Sequence, residues 1–178
     1  MQRTTTDIDS YRANRIQIRP LTAADRDRLA EEFSHLSEQT RRRRFGGLAT
    51  RLGERDLDRL MAVDHHNHEA LAAIEPGTDR IIGVARYIAL PDDPAAAEVA
   101  IEVADEWQGR GIGRRVIAEL AGRARAEGIT RLLAYVSRDN LPVLGWIERA
   151  GAIIESYEGD ATLFSIPLAR AASKRRAA

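Results

Sequence analysis

The segment Glu98–Gly128, EVAIEVADEWQGRGIGRRVIAELAGRARAEG, constrains this chain more than any other. Val99, Ile101 and Val103 alternate with Glu98, Ala100 and Glu102, and this period-two pattern of β-branched residues predicts a strand over 98–104. Gln108-Gly109-Arg110-Gly111-Ile112-Gly113 follows as a glycine-punctuated loop. Ile112, Val116, Ile117, Leu120 and Ala124 then share one helical face, predicting a helix that ends near Gly128. A strand, a glycine loop and a helix in that order suit an anion, above all a phosphate. The glycines admit close backbone approach, and the first-turn N–H groups and the helix dipole both favour negative charge.

Two common phosphate motifs do not fit. A Walker loop ends in Gly-Lys-Ser/Thr, whereas Gly113 is followed by Arg114 and Arg115. A dinucleotide fingerprint has G-x-G-x-x-G spacing, whereas Gly109, Gly111 and Gly113 stand two apart in mid-chain. What remains is Gln-x-x-Gly-x-Gly, as Gln108, Gly111 and Gly113, behind a strand reading EVAIEV. This arrangement resembles the acetyl-CoA site of the Gcn5-related N-acetyltransferase (GNAT) family.

The remaining chain is punctuated by turn residues into short elements. Arg15–Pro20 alternates and stops at proline, as a first strand does. Helices are expected over 23–33 behind a Thr22 cap, over 37–44, and from Gly53 through Leu57, Leu60, Met61 and Val63. Strands over 68–75 and 80–89 flank Pro76-Gly77-Thr78-Asp79, and Pro91-Asp92-Asp93-Pro94 turns into the central strand. After the central helix come a strand at 132–136, a helix at 141–149 ended by Gly151, and a hairpin of 152–157 with 162–167. Three consecutive strands before the glycine loop argue for a mixed sheet rather than a doubly wound parallel one. The fold class expected is therefore α/β in the α+β sense, a mixed and mostly antiparallel sheet flanked by helices. The domain layout expected is a loose segment 1–13, one domain over 14–168 and a basic tail 169–178.

The resemblance covers about Ile16 to Leu168 and implies the GNAT acyl-CoA N-acyltransferase fold. Leu36-Ser37-Glu38-Gln39-Thr40-Arg41-Arg42-Arg43-Arg44-Phe45, a helix, and then His68-Glu69-Ala70-Leu71 are similar to the acetyltransferase domain of bacterial protein lysine acetyltransferases. Members of that branch modify acyl-CoA synthetases and similar proteins. Without the family, the same stretch is a capped helix with a solvated arginine face.

Carried over by position, the resemblance implies acetyl-CoA as co-substrate and no metal. The backbone of Gly109, Arg110, Gly111, Ile112, Gly113 and Arg114 would hold its pyrophosphate, with Gln108 shaping the loop. The strand edge near Val103 would pair with the pantetheine amides. Asn140 would lie along the cofactor arm; its plain alternative is a helix cap. Acetyl transfer to an amine requires removal of a proton from the ammonium, polarisation of the thioester oxygen and departure of a thiolate. Glu98 and Glu102 lie on one face of the strand. The resemblance makes Glu98 the general base and Glu102 the second choice or a substrate-binding partner; otherwise both are solvent-facing carboxylates. Many relatives carry a tyrosine seven residues after the asparagine, where this chain has Ile147. Tyr135 and Tyr157 are substitutes, although each also reads simply as a sheet residue.

Composition narrows the classes further. Lys+Arg and Asp+Glu both number 27, so no global charge draws the chain to nucleic acid or membrane, and Arg41–Arg44 and the tail read as solvated surface. There is no cysteine, which excludes disulfides, thiolate metal sites and a cysteine nucleophile. The adjacent histidines of His65-His66-Asn67-His68 lack a ligand spacing that would converge on one metal ion. Trp107 and Trp146 read as packing residues. No apolar run approaches the roughly 20 residues that span a bilayer, and the N-terminus has no apolar signal core, so a cytoplasmic enzyme is expected. The acceptor expected is a protein lysine, with a small amine (antibiotic, polyamine or amino acid) or a non-catalytic acyl-CoA-binding module as alternatives. A homodimer is expected only by analogy with strand pairing in this fold.

Overall fold

A computed structural model describes residues 15–45 and 52–168. The segment 1–13, the tail 169–178 and Gly46-Gly47 lie outside the described residues. The strands are β1 (Gln17–Pro20), β2 (His68–Ile74), β3 (Ile81–Leu90), β4 (Asp93–Val103), β5 (Arg131–Ser137), β6 (Ile153–Glu158) and β7 (Ala161–Pro167). The helices are α1 (Arg26–His35), α2 (Glu38–Phe45), α3 (Glu54–Met61), α4 (Ile112–Ala126) and α5 (Leu141–Arg149). Short 3-10 turns at Ala23–Asp25 and Asp105–Trp107 lead into α1 and the glycine loop.

The seven strands form one sheet in the order β1-β2-β3-β4-β5-β7-β6. Among the described residues only β4 and β5 run parallel, because α4 carries the chain back across the sheet between them. Every other pairing is antiparallel. The sheet is thus mixed and mostly antiparallel, as the strand succession predicts.

The helices cover both sheet faces, which explains why β2 and β3 read as nearly unbroken apolar runs. On one face, Val116, Leu120 and Ala124 of α4 and Ile147 of α5 join Leu71, Ala73, Ala85, Tyr87, Ala97 and Val99 in the larger core. On the other, Leu29 of α1 and Leu57 of α3 pack on Leu21, Ala70, Ala72, Ile74 and Val84. The predicted α4 face is the buried one: Ile112, Val116, Leu120 and Ala124 are buried and Ile117 packs against them. Trp107 is buried in the same core and Trp146 packs on its edge.

Two local expectations are corrected. Asp93 and Pro94 belong to β4, so the turn is shorter than predicted; Leu90 pairs with Asp93 across a register shift, where a missing proline N–H is tolerated. Thr22 does not cap its helix as an acceptor. Its hydroxyl and amide both donate to Asp25 Oδ2, each at 2.9 Å.

Candidate active site

The site begins where two parallel strands part. β4 pairs with β5 only over Ala96–Glu98, opposite Arg131–Leu133, yet β4 continues to Val103 and β5 to Ser137. Beyond Glu98, β4 keeps its β3 partner, with Val103 opposite Gly83, while its other edge faces the opening fork. An exposed β edge with a mouth several residues long suits an extended, amide-bearing ligand.

The glycine loop closes the end of β4. Gly109 (φ 73°) and Gly111 (φ 77°) adopt the left-handed conformation, and nothing stands within 4 Å of where a Cβ would project. Gly113 is glycine for a different reason: its Cβ would meet Ile101 Cδ1 at 3.3 Å and Val103 Cγ2 at 3.7 Å. That contact seats the first turn of α4 on the end of β4. The turn carries no acidic side chain, and Arg114 and Arg115 follow Gly113 in it. Ile112 is buried in the core and fixes the helix start, while the Arg110 guanidinium lies 5.1 Å from the centre of the Trp107 ring. Left-handed glycines, a helix N-terminus and a basic turn fit an anionic group. The Gln108 amide donates to the Val103 carbonyl (3.0 Å), tying the loop to the strand end.

The two carboxylates of β4 meet different surroundings. Glu98 is exposed at the base of the fork, opposite exposed Ile88 on β3 and Leu133 on β5. Tyr135 lies two residues further along β5 on the same face. Desolvation and then the charges of Glu158 and Glu98 raise the phenol above its ordinary value. Glu102 is buried, 6% exposed, and its Oε2 accepts from Arg44 Nε at 2.6 Å. The alternative in which both carboxylates face solvent therefore fails for Glu102, because α2 lands on it.

Beneath α1 the same sheet face holds more buried charge. Glu32 is 3% exposed with Oε1 unpartnered; burial, then the negative charge of Glu102, raises it to about 8. Arg86 is also 3% exposed, donates to the Leu60 carbonyl at 2.7 Å, and is lowered by burial to about 10.

Helix α2 lies across the fork. Ser37 Oγ accepts from the Thr40 amide at 3.2 Å, capping the helix. Arg44 holds Glu102 on the β4 side, and Arg43 reaches Asp139 past the end of β5, with Nε 3.2 Å from Oδ1. The expected solvated arginine face is thus corrected for Arg43 and Arg44. Glu38, Gln39, Arg42 and Arg43 of α2 line a cleft of about 570 Å³, closed opposite by Ser137, Arg138, Asp139 and Asp160.

Asn140 stands at this mouth, at the start of α5. Its side chain makes no capping hydrogen bond, while its backbone carbonyl accepts from Val143 and Leu144. The plain helix-cap alternative is therefore not what the side chain does. Ile147 is 2% exposed and sits in the core, so the position expected for a tyrosine acid contributes packing. Tyr157 is exposed on β6, the edge strand.

The histidine cluster disperses. His65 contacts Glu69 at 2.9 Å, His66 contacts Glu127, and His68 Nδ1 lies 2.8 Å from the Ala62 carbonyl oxygen.

The sequence reading missed the partners of α2. Asp105 accepts from Thr40 and Ser37, and Asp139 accepts from Arg43, and the sequence analysis singles out neither acid. The one available signal was the set of polar residues Ser37, Thr40 and Arg44 recurring at helical spacing on one face.

The model of the acetyltransferase (GNAT) family matches residues 26–152. An acetyltransferase of Pseudomonas aeruginosa is 32% identical over 127 residues, covering 70% of this chain and 68% of that protein. Acetyltransferase Pat of Mycolicibacterium smegmatis is 30% identical over 136 residues, 76% of this chain; the chain spans only 40% of Pat. Among solved structures, the GNAT domain of Streptomyces lividans PAT superposes with a TM-score of 0.77 at 28% identity, covering 86% of this chain and 90% of that one. The chain belongs to the GNAT family of acetyltransferases.

Proposed function

We propose that this protein is an acetyl-CoA-dependent N-acetyltransferase of protein lysine side chains, with Glu98 as general base. The observation that carries the reading is the position of Glu98. It is exposed where β4 and β5 part, on the strand that leads into the anion-binding glycine loop.

Acetyl-CoA supplies an activated acyl group and a thiolate that can leave. The chain does the rest. Backbone amides from Gly109 to Arg114 receive the pyrophosphate, and the open edge of β4 up to Val103 pairs with the pantetheine amides, with Asn140 alongside. Glu98 takes the proton from the incoming ammonium, directly or through one water, exposing the nitrogen lone pair. Glu102 does not serve as base in this scheme, because its carboxylate is occupied by Arg44. Tyr135 remains protonated at neutral pH and, on the same face as Glu98, is placed to return a proton to the leaving sulfur.

The cleft favours a protein acceptor. Its lining sets Arg42, Arg43 and Arg138 against Glu38, Asp139 and Asp160, without an aromatic residue, whereas a polyamine site needs a surplus of negative charge. A small amine is the second reading, favoured by Glu38 and Asp160 in that lining. Among the described residues no helix is long and apolar enough to cross a membrane.

The test is thiol release from acetyl-CoA with folded acyl-CoA synthetases, lysine peptides and small amines as acceptors, alongside Glu98→Gln. Turnover on a folded protein, lost in Glu98→Gln, is the expected result. Turnover on small amines alone would move the assignment to the second reading. Cofactor binding without turnover on any acceptor would leave a binding module.

A further inference from the structure

Helix α2 is joined to the glycine loop by a hydrogen-bonded network. The Thr40 hydroxyl donates its single proton to Asp105 Oδ1 at 2.7 Å. The Thr40 hydroxyl oxygen stands 3.2 Å from Gln108 Nε2, which also donates to the Val103 carbonyl at 3.0 Å and lies at a longer 3.5 Å from Asp105 Oδ1. A primary amide has two protons, so Gln108 can serve Thr40 and Val103 together. Asp105 further accepts from the Ser37 amide (2.7 Å) and hydroxyl (2.8 Å). Desolvation would raise the Asp105 carboxyl, but the donations from Ser37 and Thr40 outweigh it and hold the group below its ordinary value. The network therefore keeps a fixed direction: Gln108 donates to Thr40, and Thr40 donates to Asp105.

Gln108 opens the loop that receives the anion, and Thr40 lies in the helix whose Glu38, Gln39, Arg42 and Arg43 wall the cleft. The Thr40 hydroxyl links the two by hydrogen bonds to Gln108 and Asp105. A ligand that orders Gln108 orders Thr40 with it, and the helix cap at Ser37 passes that order to the cleft wall.

We propose that Thr40 and Asp105 are positioning residues that couple occupancy of the glycine loop to the shape of the acceptor cleft. The inference rests on the reading of the loop as a coenzyme A site. Such coupling is reciprocal: whatever the cofactor does for acceptor affinity, the acceptor does for cofactor affinity. A side chain that merely stabilised α2 would change its exchange equally with the loop empty or full.

Hydrogen–deuterium exchange of residues 38–45 and 108–116, with and without coenzyme A, tests the proposal in the full chain. In the wild type, coenzyme A should slow exchange in both segments, in α2 by about fivefold or more. In Thr40→Val, coenzyme A should still bind by calorimetry and protect 108–116, while protection of 38–45 disappears; Thr40→Ser should restore it. If the Val variant unfolds, Thr40→Ala makes the same comparison. Protection of α2 that survives loss of the hydroxyl would overturn the coupling, as would a wild type in which only the loop is protected. A wild type that neither binds coenzyme A nor shows loop protection would overturn the cofactor reading itself, a distinct and visible failure.

Discussion

Glu98 and Glu102 are the same residue type on the same face of β4, four residues apart, and the fold treats them as opposites. Glu98 stands at the last rung paired with β5 and stays exposed. Glu102 stands where the fork is open, yet it is buried, because α2 crosses there and Arg44 closes over it. Openness of a sheet edge and exposure of its side chains are thus separate properties. The edge lies in the plane of the sheet and is free for a ligand, while the face above it is covered by a helix. One segment of β4 therefore leaves its edge unpaired with β5 while its carboxylate is hidden, and the neighbouring carboxylate stays exposed.

The largest effect expected from this difference is structural. Glu102→Ala leaves the half-buried Arg44 without the Glu102 carboxylate and removes a negative charge that favours the Arg86 cation, and should cost about 3–5 kcal/mol of unfolding free energy. Urea denaturation measures it, and replacing Arg44 and Glu102 together by leucine should recover much of the loss. Equal, small losses for Glu98→Ala and Glu102→Ala would erase the distinction. At the other end of the comparison, Glu98→Gln should lower kcat by about 10²–10³-fold and leave the melting temperature and coenzyme A affinity close to wild type. A variant with undiminished kcat would remove Glu98 from proton transfer.

The buried side of the comparison is also sensitive to pH. Burial, reinforced by Glu102, raises Glu32 from 4.5 to about 8, so between those values the folded chain keeps a proton that the unfolded chain has released. Stability should therefore fall as pH rises through that window, at up to about 1.4 kcal/mol per pH unit. Glu32→Gln, which is neutral throughout, should flatten that slope in denaturation curves taken from pH 5 to 8; an unchanged slope would place the titration elsewhere. The smallest effect belongs to the loop. Gly111→Ala puts a Cβ on a residue with φ 77° where space is open, so only the backbone term applies, about 1–2 kcal/mol. Calorimetry should show weaker coenzyme A binding, with Glu98-dependent chemistry intact at saturating cofactor.

Most of the architecture was legible along the chain because its signals are local. The alternation of Val99, Ile101 and Val103, the glycines of the loop and the apolar stripe of α4 each depend on residues a few positions apart, and the structure builds β4, the loop and α4 from them. Gly109 and Gly111 announce left-handed backbone because few other residues adopt it, and Leu141–Arg149 announces its own ends through Pro142 and Gly151. The family resemblance is what singles out Glu98, Gln108 and Asn140 as candidate site residues.

Tertiary structure decided what no local pattern encodes. Arg44 meets Glu102 across 58 positions of sequence, Thr40 meets Gln108 across 68, and Arg43 meets Asp139 across 96. Periodicity states which face a side chain occupies, but not which helix will cover that face, since this depends on how distant elements pack. For that reason the sequence by itself determined the order of elements, the glycine loop and the pair of carboxylates. Only the packing of α2 over the β4–β5 fork made one of those carboxylates an anchor and left the other in solvent.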